Sequence, residues 1–154
     1  MDLRNDLDRA KLADEFGPME TEPYFTEVGL VDRSEWPPGV WDGEPDRVMW
    51  VDEATGLRCL ALRFIAGGWS GMVGVEKGNR HWGVPYEEVG MVVHGGLTHA
   101  VMDREDVWWL GFRCDHGYDF QPGYAPKLWK RLARQYKTVE FVKEECRKLA
   151  GQLK

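Results

Sequence analysis

The middle of the chain alternates short apolar runs with turn residues, and this pattern predicts a β-sheet. Residues 48–51 and 57–65 flank a polar segment whose last residue is a glycine, which suits a left-handed turn position. In residues 69–75 and 108–114 the apolar side chains fall mainly on alternate positions, and therefore on one face of a strand. Consecutive runs joined by short turns favour antiparallel neighbours. We therefore predict an antiparallel meander over residues 47–114.

Helical spacing is clearest at the two ends of the chain. Residues 3–16 contain good helix formers and end before Gly17 and Pro18, which stop a helix. Residues 139–153 place apolar side chains three or four positions apart after Thr138, a favourable N-cap. The predicted fold class is therefore α+β, an antiparallel β-meander packed against N- and C-terminal helices.

Less regular segments join these elements. Residues 19–45 contain four prolines, which lack the N–H that a strand donates, so at most one strand is expected there, near residues 24–31. A short helix is predicted over residues 127–136.

A His-Gly-Gly sequence separates two apolar runs near residue 95. Glycine supplies the positive φ of a tight turn, so residues 89–93 and 97–102 are predicted to pair as a hairpin around the two glycines. In that register His94 and His99 share one face of the sheet.

The length and composition fit one domain, because 154 residues with 43% hydrophobic content can bury a core. Within it we expect an acidic helix and irregular segment over residues 1–46, a sheet over 47–119 and a helical C-terminus over 120–154. No apolar run approaches the roughly 20 residues that span a bilayer, and the first residues lack the features of a signal peptide. A cytoplasmic location without membrane partners is expected. The three widely spaced cysteines lack a C-x-x-C and predict reduced thiols.

Charge is unevenly distributed behind the net value of −6. Residues 1–56 hold 15 acidic and 5 basic side chains, whereas residues 57–154 hold 11 and 15. The basic residues between 127 and 148 are interleaved with acids, so direct nucleic-acid binding is not expected. The acidic first part allows another interpretation, an inhibitor that occupies the basic, nucleic-acid-binding surface of a host protein. The simpler explanation of this uneven charge is that both parts form ordinary solvated surfaces.

Histidine, cysteine and aspartate collect in the segment from residue 94 to residue 119. His94, His99, Cys114 and His116 are of types that zinc accepts, but their spacing is not diagnostic and no cofactor is assigned. His94 and His116, oriented by Asp119, are candidates for general acid–base catalysis. Structural hydrogen bonds are the competing interpretation of the same histidines. The sequence leaves open whether a reaction is catalysed.

A site for a small polar ligand is the leading hypothesis. Glycine turns offer N–H donors to an anion, arginines pair with phosphate, and tryptophans stack on a base. The candidate residues are His94, Gly95, Gly96, Thr98, Trp69, Trp108, Trp109, Arg63 and Arg113. No Rossmann or P-loop signature accompanies them, and in the competing interpretation the glycines only form hairpin turns.

Three pieces of sequence resemble a family of small tailed-phage and prophage proteins. They are WSGMVGV at residues 69–75, VHGGLT at 93–98 and WWLGFRCDH at 108–116, and the family shows W-x-G-Y-V, H-G-G-L-T and W-W-x-G-F-D-C-x-H-x-x-D. Cys114, His116 and Asp119 match this pattern, whereas Arg113 stands where the family has an acidic residue. The resemblance covers residues 57–153. It implies a phage context and a shared site rather than a particular reaction.

These features together predict a host-directed phage accessory protein, of the anti-defence kind, that binds a nucleotide or a nucleotide-derived signal. Two alternatives stay open. One is the acidic inhibitor of a host protein. The other is a small hydrolase or transferase that uses His94, His116 and Asp119, with or without a metal.

Overall fold

Six short runs rich in aliphatic and aromatic residues pair into one antiparallel sheet. The computed structural model describes residues 24–124 and 134–154. The strands are β1 Tyr24–Glu27, β2 Arg47–Val51, β3 Arg58–Arg63, β4 Trp69–Val75, β5 His99–Met102 and β6 Trp108–Arg113, and the C-terminal helix is α1 Val139–Leu153. Short 3-10 helices at Val40–Gly43, Tyr86–Glu88 and Pro122–Tyr124 lie in the connections. A sheet with a C-terminal helix confirms the α+β class.

The predicted meander forms as far as β4. Strands β2, β3 and β4 are consecutive neighbours, with Val48 opposite Ala61 and Ala61 opposite Gly71. The chain then leaves the sheet over residues 76–98 and returns as β5, which pairs with β6. The strand order is β1-β2-β3-β4-β6-β5, because β6 lies beside β4 and places β5 at the edge.

One face of the sheet packs against α1. Thr138 caps the helix as predicted, since its hydroxyl accepts the N–H of Phe141 at 3.1 Å. The predicted apolar stripe of α1 is buried, namely Val139, Val142, Cys146, Leu149 and Leu153. Helix and sheet approach closely at Gly71, where a Cβ would overlap the Phe112 ring and lie 2.9 Å from the Cys146 sulfur.

A buried ionic network fixes the start of α1 relative to the sheet. The five N–H groups of Arg63 bond to Asp46, Glu44, Tyr136 and two backbone oxygens. Glu44 also accepts the backbone N–H of Val139, the first residue of α1, at 2.7 Å. The network therefore joins β3, the segment before β2 and the N-terminus of the helix.

The hairpin predicted between residues 89–93 and 97–102 is wrong. Residues 89–93 form no strand and instead run beside α1, where the Gln152 side chain bonds both the N–H and the C=O of Val92. Glu145 accepts the backbone N–H of His94 at 2.9 Å. Helix side chains thus replace the strand neighbour that would otherwise have satisfied these backbone groups.

The glycine turn itself forms as expected. Gly95 and Gly96 have φ values of 69° and 79°, and the N–H of Gly96 bonds to the carbonyl of Val93. Because this turn does not join two strands, the prediction that His94 and His99 share a sheet face is also wrong. His99 belongs to β5, and the turn carries His94 toward α1.

The sheet face opposite α1 is also buried. Its apolar cluster consists of Met49, Leu60, Met72, Val107 and Trp109. The helix predicted over residues 3–16 lies outside the described residues. The same holds for most of the helix predicted over residues 127–136, and its last three residues are not helical.

The close contact at Gly71 predicts a sharp difference between two glycine substitutions. Gly71→Ala should lower the free energy of unfolding by about 1–3 kcal/mol, because overpacking pushes Phe112 and α1 apart. Gly151→Ala, in α1 with open space around it, should raise it by about 0.5–1 kcal/mol through helix propensity. Urea denaturation measures both values. A Gly71→Ala protein with the wild-type free energy of unfolding would contradict this packing.

Candidate functional site

Three segments that are distant in sequence meet beside the N-terminal half of α1. They are the turn at residues 93–96, the segment after β6 at residues 114–120, and residues 134–138 before the helix. The second and third are joined by backbone bonds, since Gln135 donates to Tyr118 at 3.0 Å and accepts from Phe120 at 2.9 Å. Polar side chains from all three segments converge on Asp119.

The Asp119 carboxylate is fully buried and surrounded by donors. The His94 Nε2 atom lies 3.0 Å from each of its oxygens. Oδ2 also lies 3.1 Å from His116 Nδ1 and accepts the His116 backbone N–H at 3.0 Å. The Lys137 ammonium lies 3.2 Å from Oδ1. One carboxylate therefore contacts two imidazoles and one ammonium.

These contacts decide the charge of Asp119. Burial raises the pKa of its carboxyl, but hydrogen bonds from His94 and from the backbone and ring of His116 outweigh burial and hold the pKa below its usual value. Asp119 is therefore an anion at neutral pH, in a position from which water is excluded.

The His94 ring is held by aromatic neighbours. It makes edge contacts with His116, Tyr118 and Phe141, with ring centroids 5.3–5.5 Å apart. Its backbone is fixed by Glu145, as described above. The ring therefore has little freedom to turn away from Asp119.

His116 forms the open side of the cluster. Its side chain is 26% exposed and stacks on the Tyr118 ring, with centroids 5.3 Å apart and planes 7° apart. Gly95 also lies against this ring, since a Cβ at Gly95 would overlap the imidazole. The glycine turn therefore allows His116 to lie against the chain beside His94.

The donor set is suitable for a divalent transition metal. The ligating atoms of His94, His116 and Asp119 all lie within 4.8 Å of one another. Ligands about 2.0–2.1 Å from a tetrahedral zinc ion are separated by roughly 3.3 Å, and the contacts of 3.0 and 3.1 Å to Asp119 are close to that spacing. Two imidazoles and one carboxylate also form the facial triad of non-haem iron enzymes.

Two of the four predicted metal ligands lie elsewhere. Cys114 is buried in the core on the helix side, where burial and the charge of Asp119 raise the pKa of its thiol far above the ordinary value. His99 lies on the opposite sheet face against Gly111, and its Nδ1 contacts the Thr98 hydroxyl at 2.9 Å. Neither belongs to the group that the structure assembles.

The predicted ligand-binding residues are spread over both faces of the sheet. Arg63 and Trp69 lie together in the ionic network, where the guanidinium is 4.3 Å from the ring and the Trp69 N–H bonds to Tyr136. Trp109 is buried on the opposite face and donates to Asp103 at 2.9 Å. Trp108 and Arg113 have partners outside the cluster, because the Trp108 N–H bonds to the Val84 carbonyl and Arg113 pairs with Asp115. Of the nine, His94, Gly95 and Gly96 lie at the cluster.

Sequence reasoning missed four residues that shape the cluster, namely Tyr118, Lys137, Phe141 and Glu145. Their positions give no warning, because each is an ordinary residue of a loop or a helix face. Only the tertiary contact between α1, the glycine turn and the end of β6 brings them together.

Comparisons with protein-family models, with curated proteins and with solved structures found no match for this chain. Among the described residues, no helix is long and apolar enough to cross a bilayer.

His99 predicts a loss of stability in mild acid. Burial, and then the positive charge of Arg113, lower its pKa to about 4 in the folded chain, compared with about 6.5 when unfolded. The unfolded chain binds the proton first as the pH falls, so the free energy of unfolding should decrease by about 3 kcal/mol between pH 6.5 and 4.

Urea denaturation across this pH range tests the assignment. His99→Gln should flatten the dependence, whereas His81→Gln, at a more exposed histidine, should keep most of it. Equal slopes in wild-type and His99→Gln protein would show that His99 is not the group responsible.

Proposed function

We propose that the protein is a small metal-dependent hydrolase or transferase whose centre is formed by His94, His116 and Asp119. The observation that carries this proposal is the convergence of two imidazole nitrogens on the buried carboxylate of Asp119, from positions 25 and 3 residues before it in sequence. His116 and Asp119 come from one turn after β6, whereas His94 comes from the glycine turn, so a local motif explains the first pair but not the arrival of His94.

Several features favour a metal centre over a purely structural hydrogen-bond network. His94 Nε2 lies 3.0 Å from both carboxylate oxygens, close to the separation of two ligands on one zinc ion. Glu145 and the aromatic rings around His94 fix the orientation of that ligand, a role that outer residues commonly have at metal sites.

Three protein ligands leave a coordination position for water or substrate, which is the arrangement of catalytic rather than structural zinc sites. The partial exposure of His116 and Tyr118 gives access from solvent on that side. A zinc-type ion held there would lower the pKa of a coordinated water and polarise a substrate oxygen. Cys114 supplies no nucleophile, because its thiol is buried and protonated.

We expect the substrate to be a small anion, in line with the nucleotide-derived ligand predicted from the sequence. Lys137 places a positive charge beside the cluster, and the exposed Tyr118 ring offers a surface for a flat group to stack on. The phage context and the cytoplasmic location stay predictions from the sequence.

The direct test is metal binding by the purified full-length chain. After chelator treatment and dialysis, titration with Zn²⁺ or Co²⁺ should show one tight site per chain, and Asp119→Asn and His116→Ala should abolish it. His81→Ala, outside the cluster, should bind as the wild type does. Mass spectrometry of protein purified from cells should show the same stoichiometry.

Failure of wild-type protein to bind either ion would overturn the metal centre. The cluster would then act as an acid–base pair, because Asp119 bonds to His116 Nδ1 and would orient the exposed ring. In that case activity screens with phosphoesters and nucleotides should show a dependence on His116 that no chelator affects.

The glycine turn provides a matched pair of variants for the same site. Gly95→Ala should weaken Co²⁺ binding by at least about tenfold, because a Cβ would displace the His116 ring and a misplaced ligand typically costs that much affinity. Gly96→Ala has similar backbone strain, since both residues have positive φ, but its Cβ would meet no atom within 4 Å. Equal Co²⁺ affinity in the two variants would contradict the placement of His116.

A further inference from the structure

Lys137 lies beside Asp119 and contacts the carboxylate that a bound metal ion would also contact. Its ammonium lies 3.2 Å from Oδ1, the oxygen that also contacts His94. The side chain is only 11% exposed and extends past the rings of Tyr118 and Phe141, 6.0 and 5.7 Å from their centroids. Among the described residues that contact Asp119, Lys137 is the one whose side chain ends in an ammonium.

The backbone around Lys137 is anchored, whereas its side chain is held mainly by Asp119. Gln135, two residues earlier, forms the bridge with residues 118–120, and Thr138 starts α1 directly afterwards. The ammonium also contacts the Gln135 carbonyl at 3.3 Å. Lys137 can therefore release Asp119 by rotation of its own flexible side chain, without any movement of the fold.

A divalent ion and this ammonium compete for the same carboxylate. Like charges a few ångströms apart repel strongly where solvent is scarce, so an ion bound to His94, His116 and Asp119 favours a Lys137 conformer that points away from Asp119. The released ammonium stays within reach of the cluster because its backbone is fixed. There it carries an unpaired positive charge next to the open coordination position.

We propose that Lys137 is both a competing cation at the metal-free cluster and an anion-binding residue at the metal-loaded one. This inference rests on the proposed function, and it names the substrate class as a tetrahedral oxyanion such as a phosphate or sulfate ester. Metal and oxyanion then bind cooperatively, since the ion releases the lysine that the oxyanion uses. Each ligand increases the affinity for the other by the same factor.

Co²⁺ titration of Lys137→Met and wild-type protein tests the competition. Methionine has a similar length and no charge, so the variant should bind Co²⁺ at least about tenfold more tightly than the wild type. Lys137→Gln gives a second neutral variant if methionine disturbs folding, and Lys137→Arg should bind as weakly as the wild type.

Lys143→Met is the matched control. Lys143 is similarly buried, 13% exposed, and pairs with Glu140 at 3.3 Å in the second turn of α1. Its replacement should leave the Co²⁺ affinity within about twofold of wild type, because Lys143 pairs with Glu140 rather than with Asp119 and its charge is screened by salt. Circular dichroism establishes that all variants are folded before titration.

Sulfate tests the second half of the inference. It is a tetrahedral dianion that keeps Co²⁺ in solution, and at constant ionic strength it should tighten Co²⁺ binding to the wild type by about fivefold or more. The same addition should have no effect on Lys137→Met, which lacks the released ammonium.

The outcomes separate this inference from the proposed function. If neither the wild type nor Lys137→Met binds Co²⁺, the metal centre itself is wrong and the inference falls with it. If the wild type binds Co²⁺ and Lys137→Met binds equally or more weakly, the metal centre stands and the competition is wrong. If Lys137→Met binds more tightly but sulfate has equal effects on both proteins, the oxyanion role of Lys137 is overturned.

Discussion

The rest of the structure depends on the buried guanidinium of Arg63. It is satisfied by the carboxylates of Asp46 and Glu44, by Tyr136 and by backbone oxygens, and it lies over the Trp69 ring. A buried ion pair with one partner missing is strongly destabilising, because the remaining charge has no water to solvate it. The network therefore fixes three segments together, and through Glu44 it sets where α1 begins.

The position of α1 in turn determines the cluster. With its start fixed, the helix presents Glu145 to the backbone of His94 and Gln152 to Val92, so the glycine turn is attached to the helix rather than to the sheet. The residues just before the helix place Lys137 beside Asp119. The segment after β6, which carries His116, lies beside these residues, because Gln135 bonds to the backbone of Tyr118 and Phe120. A local turn pairs His116 with Asp119, and helix packing brings His94 and Lys137 to that pair.

Local signals in the sequence were sufficient for most of the fold. The strands β4 and β6, the turn at Gly56 and the Thr138 cap depend on neighbouring residues only, and all are present. The hairpin after residue 89 failed because its alternative partners, Gln152 and Glu145, lie more than 50 residues away. For the same reason residue type identified His94 and His116 as candidates, yet Lys137 and Glu145 gave no signal and His99 was wrongly placed beside His94.

Two buried carboxylates show how structural and functional polar groups differ in this fold. Asp46 bonds to Arg33 and Arg63, which never lose their charge, and to the backbone N–H groups of Leu30 and Val31. Asp119 bonds instead to two imidazoles and a flexible ammonium, groups that can change partner. Burying an anion among exchangeable donors gives less rigidity than burying it among arginines. The arrangement around Asp119 leaves lone pairs on His94, His116 and Asp119 that an incoming cation can use. Asp119, and not Asp46, is therefore the candidate centre.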